Sequence, residues 1–529
     1  MTADPLAAAE RAYRQGDSQA ADRLAADSSR PEALQFRAML AMQAGSLDAA
    51  SGFLATYLEA RPQDANGWHN LALVASQQGS LEKAADAWQQ ALKLKPDHPP
   101  SRAGLDQLLV SRVSALLRQG TPAQALALLD QYAASPSALL LDARAAVQHG
   151  LGQGDDAIAL SRRAVALEPG NARLRANLAA LLCGQTDPQK ISEAEGLASE
   201  LLRQRPDHPG ANHCLAVVCR KTGRLADAAQ HAARAVQNEP TVEHWLTLGD
   251  VLAELEPQRG IAALKQAVAA HPQAAELYRQ LGIAQLRAGR PDEALTALDQ
   301  ALSLDPADQR TIAHRAVAMM LTGGGEEAVA WLGQPAYIRQ VPLACPSAFA
   351  NLAAFNKALA NDIARHSRMR WEPVGLAARN GGLTDDLTAD QTPAIQGFEA
   401  SLRAAISDMI ACRPRAAPFE AAFPGEPFRL NIWATLVHAG GNIDTHIHED
   451  SWLSGAYYVQ LPPGTGTEGA IEFGRPHADL PQLPETEPHV IQPREGQLLL
   501  FPSYLFHRTL PHRHDTSRIS ISFDVSPAL

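Results

Sequence analysis

With 529 residues the chain is too long for a single hydrophobic core, and at least two domains are expected. A formal net charge of −11 without a long basic run argues against a nucleic-acid footprint and against a polybasic membrane contact. The five cysteines (Cys183, Cys214, Cys219, Cys345 and Cys412) form no Cys-x-x-Cys pair and read as reduced thiols of a cytoplasmic protein; no apolar run is long enough to span a bilayer, and M-T-A-D-P-L-A-A-A-E-R lacks the apolar segment of a signal peptide.

The first two thirds of the chain is periodic. Prolines that end helical segments stand at positions 31, 62, 96, 136, 169, 206, 240, 272 and 306, with gaps of 31, 34, 40, 33, 37, 34, 32 and 34 residues. Before Pro96 the positions that repeat are Trp68, Leu71, Ala72, Gly79, Ala84, Trp88 and Ala91. Before Pro306 they are Tyr278, Leu281, Gly282, Gly289, Ala294, Leu298 and Ala301, and before Pro240 Leu215, Ala216, Gly223, Ala228 and Ala235. Small residues let the two helices of a hairpin approach, large ones fill the space between layers, glycine makes the turn and proline stops the second helix. The pattern resembles the tetratricopeptide repeat over residues 1–333. The longer spacings, around 97–136 and 170–206, read as degenerate units or units with a loop. Such an array implies a groove for a protein or peptide, or else an arm that only positions the remaining domain.

After Pro306 one atypical hairpin is expected, turning at Thr322-Gly323-Gly324-Gly325 and capping the stack. Residues 334–349, with Gly333-Gln334-Pro335 and Cys345-Pro346, read as a linker. Residues 350–415 read as a helical lead-in: Leu352, Phe355, Leu359 and Ile363 mark one amphipathic helix, and Ile395, Phe398, Leu402, Ile406 and Met409 a second. Arg379-Asn380-Gly381-Gly382 between them reads as a loop, and the helices are expected to brace a following sheet.

Residues 416–529 carry strand signals at 428–437, 443–448, 454–461, 469–474, 489–493, 496–502, 505–510 and 517–525, separated by turn chemistry. Eight short strands suggest a double-sheet jelly roll. The expected fold is therefore multidomain: an all-α repeat superhelix followed by an α+β double-stranded β-helix, jelly-roll or cupin-like, domain. Eight of the 18 histidines fall between His438 and His514. His446 and His448 stand two apart, so on a strand both imidazoles point to one face and can share a metal ion. His507 follows in L-L-L-F-P-S-Y-L-F-H, and Arg518 comes eleven residues later in S-R-I-S-I-S-F-D-V. His438, His477 and His489 read as incidental, and His512 and His514 as loop residues.

Several spaced blocks here resemble the 2-oxoglutarate- and Fe(II)-dependent oxygenases found fused to tetratricopeptide repeats. They are His446-Ile447-His448, Trp452-Leu453-Ser454-Gly455-Ala456-Tyr457-Tyr458-Val459, Phe473-Gly474-Arg475-Pro476, Phe501-Pro502-Ser503 with His507, and Arg518 to Val525. The likeness runs from about residue 345 to the end, with Glu449 standing where the family has proline. It implies Fe(II) held by His446, His448 and His507. The usual two-histidine, one-carboxylate site leaves a rival set open, His448, Asp450 and His507, in which Asp450 replaces His446 as ligand. Arg518 is the expected clamp for the distal carboxylate of 2-oxoglutarate, with Ser520 and Tyr458 as further donors. The implied activity is a 2-oxoglutarate-dependent dioxygenase that uses O₂ to hydroxylate a protein or peptide recruited by the repeats. The alternatives are a catalytically silent scaffold with a cupin-like domain, or a metal enzyme that needs no 2-oxoglutarate.

Overall fold

Most helical hairpins of the computed structural model turn on a glycine in the left-handed region, as at Gly79 (φ 76°), Gly223 (φ 76°) and Gly289 (φ 70°), a conformation that would strain any residue with a Cβ, whereas Val242–Leu255 passes to Pro257–Ala270 through Glu256 alone. The structure describes residues 4–527 except 133–136, 326–327, 329–330, 332–336, 367–368, 372–376, 414–417, 421–422, 424, 426, 465, 482 and 484–487. The chain divides into two compact units, Met1–Leu181 and Leu182–Leu529.

In the first unit helices pack in consecutive antiparallel pairs, such as Pro31–Gln43 with Leu47–Ala60 and Ala65–Gln77 with Leu81–Leu94. Ala72, Ala84 and Ala91 are fully buried where the helices touch, and Trp88 fills the layer beyond them. A Cβ on Gly104 would lie 2.6 Å from the Trp88 indole, so the next helix closes onto that ring only through glycine. The 40-residue spacing is taken up by a 20-residue helix, Pro99–Arg118, rather than by an inserted loop among the described residues. The 37-residue spacing likewise reflects the 17-residue helix Pro188–Gln204.

The second unit continues with the pairs Pro209–Lys221/Leu225–Asn238, Val242–Leu255/Pro257–Ala270 and Ala275–Arg287/Pro291–Leu304, and then the helix Gln309–Leu321. Its strands are β1 (Arg339–Pro342), β2 (Met369–Trp371), β3 (Ala378–Thr384), β4 (Phe428–Ile443), β5 (Leu453–Gln460), β6 (Ile471–Phe473), β7 (His489–Ile491), β8 (Gln497–Pro502), β9 (His507–Thr509) and β10 (Arg518–Pro527). They form two antiparallel sheets, one of seven strands in the order β1-β8-β5-β10-β4-β3-β2 and one of three in the order β7-β6-β9.

Three expectations are corrected here. The segment 334–349 is not a plain linker, because β1 within it pairs with β8, Arg339 opposite Leu500 and Val341 opposite Leu498. Arg379 to Gly382 is not a loop but part of β3, where Gly381 lets the chain approach β4; a Cβ there would sit 2.7 Å from the Leu436 carbonyl oxygen. Residues 443–448 are not a continuous strand: β4 ends at Ile443, and His446 then makes an isolated antiparallel bridge to His507.

The helices Leu352–Arg365 and Pro393–Ala411 bury the predicted faces. Phe355, Leu359 and Ile363, with Ile395, Phe398, Leu402, Ile406 and Met409, lie at 0–2% exposure. They meet the odd-numbered face of β5 at Tyr457, whose ring packs on Phe355 and Phe398 and whose hydroxyl donates to Asn356 Oδ1 at 2.5 Å. The same apolar core continues through Leu286, Leu298, Ile312, Ala316 and Val317 of the last repeat helices to Phe506 and Phe523 of the sheet region. Helical repeats and sheets in this unit therefore share one interior rather than meeting across a polar joint.

Candidate metal centre

The bridge between His446 and His507 has two backbone hydrogen bonds, from each amide to the other's carbonyl, at 3.0 and 3.1 Å. A hydrogen-bonded antiparallel pair projects its two side chains on one face, which brings these ring centroids to 4.2 Å. His448 is held separately: its amide donates to the Ser503 carbonyl at 3.0 Å, and its ring lies 5.1 Å from that of His446 and 5.2 Å from that of His507. One nitrogen from each of the three rings falls within a 4.8 Å cluster.

The outer nitrogens set the tautomers. Nδ1 of His446 faces the Asp444 carbonyl at 2.8 Å, and Nδ1 of His507 faces the Leu505 carbonyl at 2.9 Å. A carbonyl only accepts, so both Nδ1 atoms carry protons and both Nε2 atoms keep lone pairs. Nδ1 of His448 points at the Asp524 carboxylate, 3.0 and 3.1 Å from its two oxygens. The resulting Nε2 atoms of His448 and His507 face one another at 3.4 Å. Two acceptors at that separation repel, whereas donors about 2.0–2.1 Å from a shared ion sit about 3.0–3.4 Å apart. The donor set thus fits a divalent metal.

Burial, and then His448, holds His446 down to about 4. Burial, His446 and His448 press His507 well below the ordinary imidazole range. Neutral imidazoles are the form that binds metal. Burial opposes ionisation of Asp524, but His448, Ser454 and Ser451 outweigh it and keep the carboxyl below its usual range. Ser454 Oγ donates to Asp524 at 2.6 Å and lies 2.7 Å from Ser503 Oγ. In the sequence Asp524 stands out only as part of a motif. Its even register with Arg518 and Ser520 on one strand is the signal that could have found it. Asp450, the rival ligand, is exposed and stands outside the histidine cluster; its carbonyl accepts from Ser526 Oγ at 2.9 Å.

On the same face of the large sheet, Ser520 stands opposite both Tyr458 of β5 and Thr435 of β4. Arg518 is 3% exposed, and one of its terminal nitrogens donates to Ser520 Oγ at 3.3 Å. Its guanidinium carbon lies 5.2 Å from the Tyr458 ring centroid. No carboxylate pairs with it among the described residues, and both Arg518 Nε and Tyr458 Oη are buried without a hydrogen-bond partner. Burial lowers the affinity of Arg518 for its proton and raises the Tyr458 phenol, the guanidinium only partly offsetting the latter. A buried cation with idle donors is costly unless an anion completes it, and the carboxylate of a keto-diacid fits that need.

The other histidines lie outside the cluster of three. The ring of His477 packs on Phe506, the residue before His507, at 5.2 Å. His512 is a buried residue, 1% exposed, whose ring Nε2 reaches the Val437 carbonyl at 3.3 Å. His438 pairs with Ser517 at 2.8 Å and stacks on Trp371, His489 lies in β7, and His514 is exposed at a turn.

Paired helices and a sheet region with a three-imidazole cluster define a helical-repeat protein that carries a metal-binding β domain. Residues 431–524 match the family model described as "Putative 2OG-Fe(II) oxygenase". Residues 65–98, 189–243 and 246–309 match tetratricopeptide repeat models. The chain therefore carries tetratricopeptide repeats fused to a 2-oxoglutarate- and Fe(II)-dependent oxygenase domain near its C-terminus. No curated protein matches the chain. Similar solved structures include a thermophilic TPR protein of Thermus thermophilus, at 24% identity over 35% of this chain and 100% of that one, with a TM-score of 0.32. A tetratricopeptide repeat protein of Parabacteroides merdae aligns at 16% identity over 48% and 98% of the two chains, with a TM-score of 0.38. YrrB, a TPR protein with an unusual peptide-binding site, aligns at 20% over 35% and 92%, with a TM-score of 0.27.

Proposed function

We propose that the protein is a dioxygenase that hydroxylates a protein or peptide brought to it by the repeat array, with its two sheets closing as a double-stranded β-helix. The observation that carries this reading is the pairing of two features on one sheet region: three converging imidazole nitrogens, and a buried arginine with idle donors. His446, His448 and His507 hold the metal, and Asp450 is not a ligand. Arg518, Ser520 and the Tyr458 hydroxyl bind the distal carboxylate of 2-oxoglutarate. Bound Fe(II), with 2-oxoglutarate and O₂, supplies the oxidising power to break a C–H bond.

The chain's own residues orient and shield. Asp444, Leu505 and Asp524 fix the three rings as Nε2 donors, so no proton has to leave before metal binds. Asp524 supplies, one hydrogen bond away, the negative charge that a ligating carboxylate would bring. Phe473 and Phe501 flank His507 and limit water on that side. The cysteine usage, with five scattered residues and no Cys-x-x-Cys pair, supports a cytoplasmic location.

The test is release of succinate from 2-oxoglutarate by purified full-length protein with Fe(II), ascorbate and a proteome-derived peptide pool. Succinate should form and should require the metal. Arg518→Lys should raise the KM for 2-oxoglutarate on the order of tenfold or more, because the bidentate fork is lost. A silent scaffold would produce no succinate above background with any pool.

A further inference from the structure

On the opposite face of the small sheet from His507 lies a cavity of about 280 Å³. Its position follows from the pleat. Phe473 pairs with His507, and the next rung, Glu472 with Arg508, points the other way. The cavity runs from Thr445, beside His446, across Gly474 and Arg475 to His477 and Leu480. Its size is just below that of a pocket for a whole small molecule and suits one side chain.

The charge at its wall does not balance: Arg475 and Arg508 line the cavity, and the carboxylate they share stands behind them. Glu472 is 4% exposed and accepts from two arginines, from Arg475 Nε at 2.7 Å and from Arg508 Nε at 2.8 Å. One carboxylate therefore faces two guanidinium groups. Arg475 engages it only through Nε, its side chain is 45% exposed, and its two terminal amino groups have no partner among the described residues. Pro476, Pro481 and Pro488 stiffen the rest of the lining. The wall is also anchored: Asp479 pairs with Arg287 of the repeat helix at 2.7 Å, and His477 rests on Phe506. A preformed, cation-rich recess thus stands one sheet thickness from the imidazole cluster, against the last repeats.

We propose that this cavity is a substrate subsite that takes the carboxylate side chain of an aspartate or glutamate in a polypeptide whose reacting residue, several positions along the chain, reaches the three histidines. It rests on the dioxygenase reading above and adds the substrate class, an acidic peptide. The surplus guanidinium supplies a forked pair of donors, and Glu472 keeps both arginines extended toward the opening.

The experiment uses the full chain loaded with Mn(II) and 2-oxoglutarate. Two pools of fluorescent peptides, randomised except for a central Glu or a central Gln, are titrated by anisotropy. The Glu pool should bind on the order of tenfold more tightly at low salt, and less so as salt is raised. Arg475→Gln should remove that gap, while Arg475→Lys should retain part of it. Equal binding of the two pools, or a gap that survives Arg475→Gln, overturns the subsite. In parallel, the charge-transfer absorption that develops anaerobically with Fe(II) and 2-oxoglutarate is read in wild type and Arg475→Gln. If the absorption forms without any preference for acid, the subsite alone falls. If acid preference holds and the absorption never forms, it is the dioxygenase reading that falls.

Discussion

At the scale of single residues, the site depends on what stands behind each ligand. Asp524 is the one charged group among the three acceptors that orient the imidazoles. Asp524→Asn should weaken Fe(II) binding by about 10–100-fold, the usual loss for an outer partner of a metal histidine. Asp450→Ala should leave Fe(II) affinity unchanged, and His446→Ala should abolish it; competition against a fluorescent chelator reads all three. His314 gives a separate pH signature. Burial, with Arg310, His477 and Arg287 nearby, holds its imidazole down to about 3 although its Nδ1 donates to the Arg310 carbonyl. The unfolded chain takes up that proton near 6.5 and the folded chain does not. Stability from this residue is therefore complete above about pH 7 and is lost as pH falls from about 6.5 toward 3. His314→Leu should flatten the decline in Tm between about pH 6.5 and about pH 4.5 relative to wild type.

Among elements, legibility followed periodicity and failed where a few residues depended on distant partners. The repeat hairpins and the two helices at Leu352–Arg365 and Pro393–Ala411 announce themselves through buried positions at helical spacing. β1 does not, because Arg-Gln-Val-Pro has no alternation of its own and is a strand only by pairing with β8. β3 is hidden by Gly381 and Gly382, which look like a turn but permit close approach to β4, with Asn380 at φ 46° marking the irregularity beside them. Gly381→Val should therefore cost about 1–3 kcal/mol through a clash with the Leu436 carbonyl, visible as a lower Tm. The histidine pair is legible from spacing, yet a single bridge rather than a strand carries His446, and the backbone of Ser503 positions His448. Glu449, the departure from the family's proline, pairs with Arg310 of the repeat helix Gln309–Leu321 at 3.6 Å. Nothing in the local sequence indicates that partner.

For the whole molecule, the division into compact units falls at Leu181/Leu182, within the helix Ala172–Cys183, whereas the repeat pattern in the sequence runs on toward residue 333. Residues 182–321 belong to the unit that holds the sheets, and Leu298, Ile312 and Val317 are fully buried in the core they share. A fragment of residues 182–529 should show one cooperative melt. A fragment of residues 337–529 should be poorly soluble and protease-sensitive, since it would expose that apolar face to water. Far-ultraviolet circular dichroism and limited proteolysis distinguish the two outcomes. The continuous core also constrains ancestry and engineering alike. A breakpoint between the last repeat helix and β1 would split a single hydrophobic interior and yield chimeras that fail to assemble.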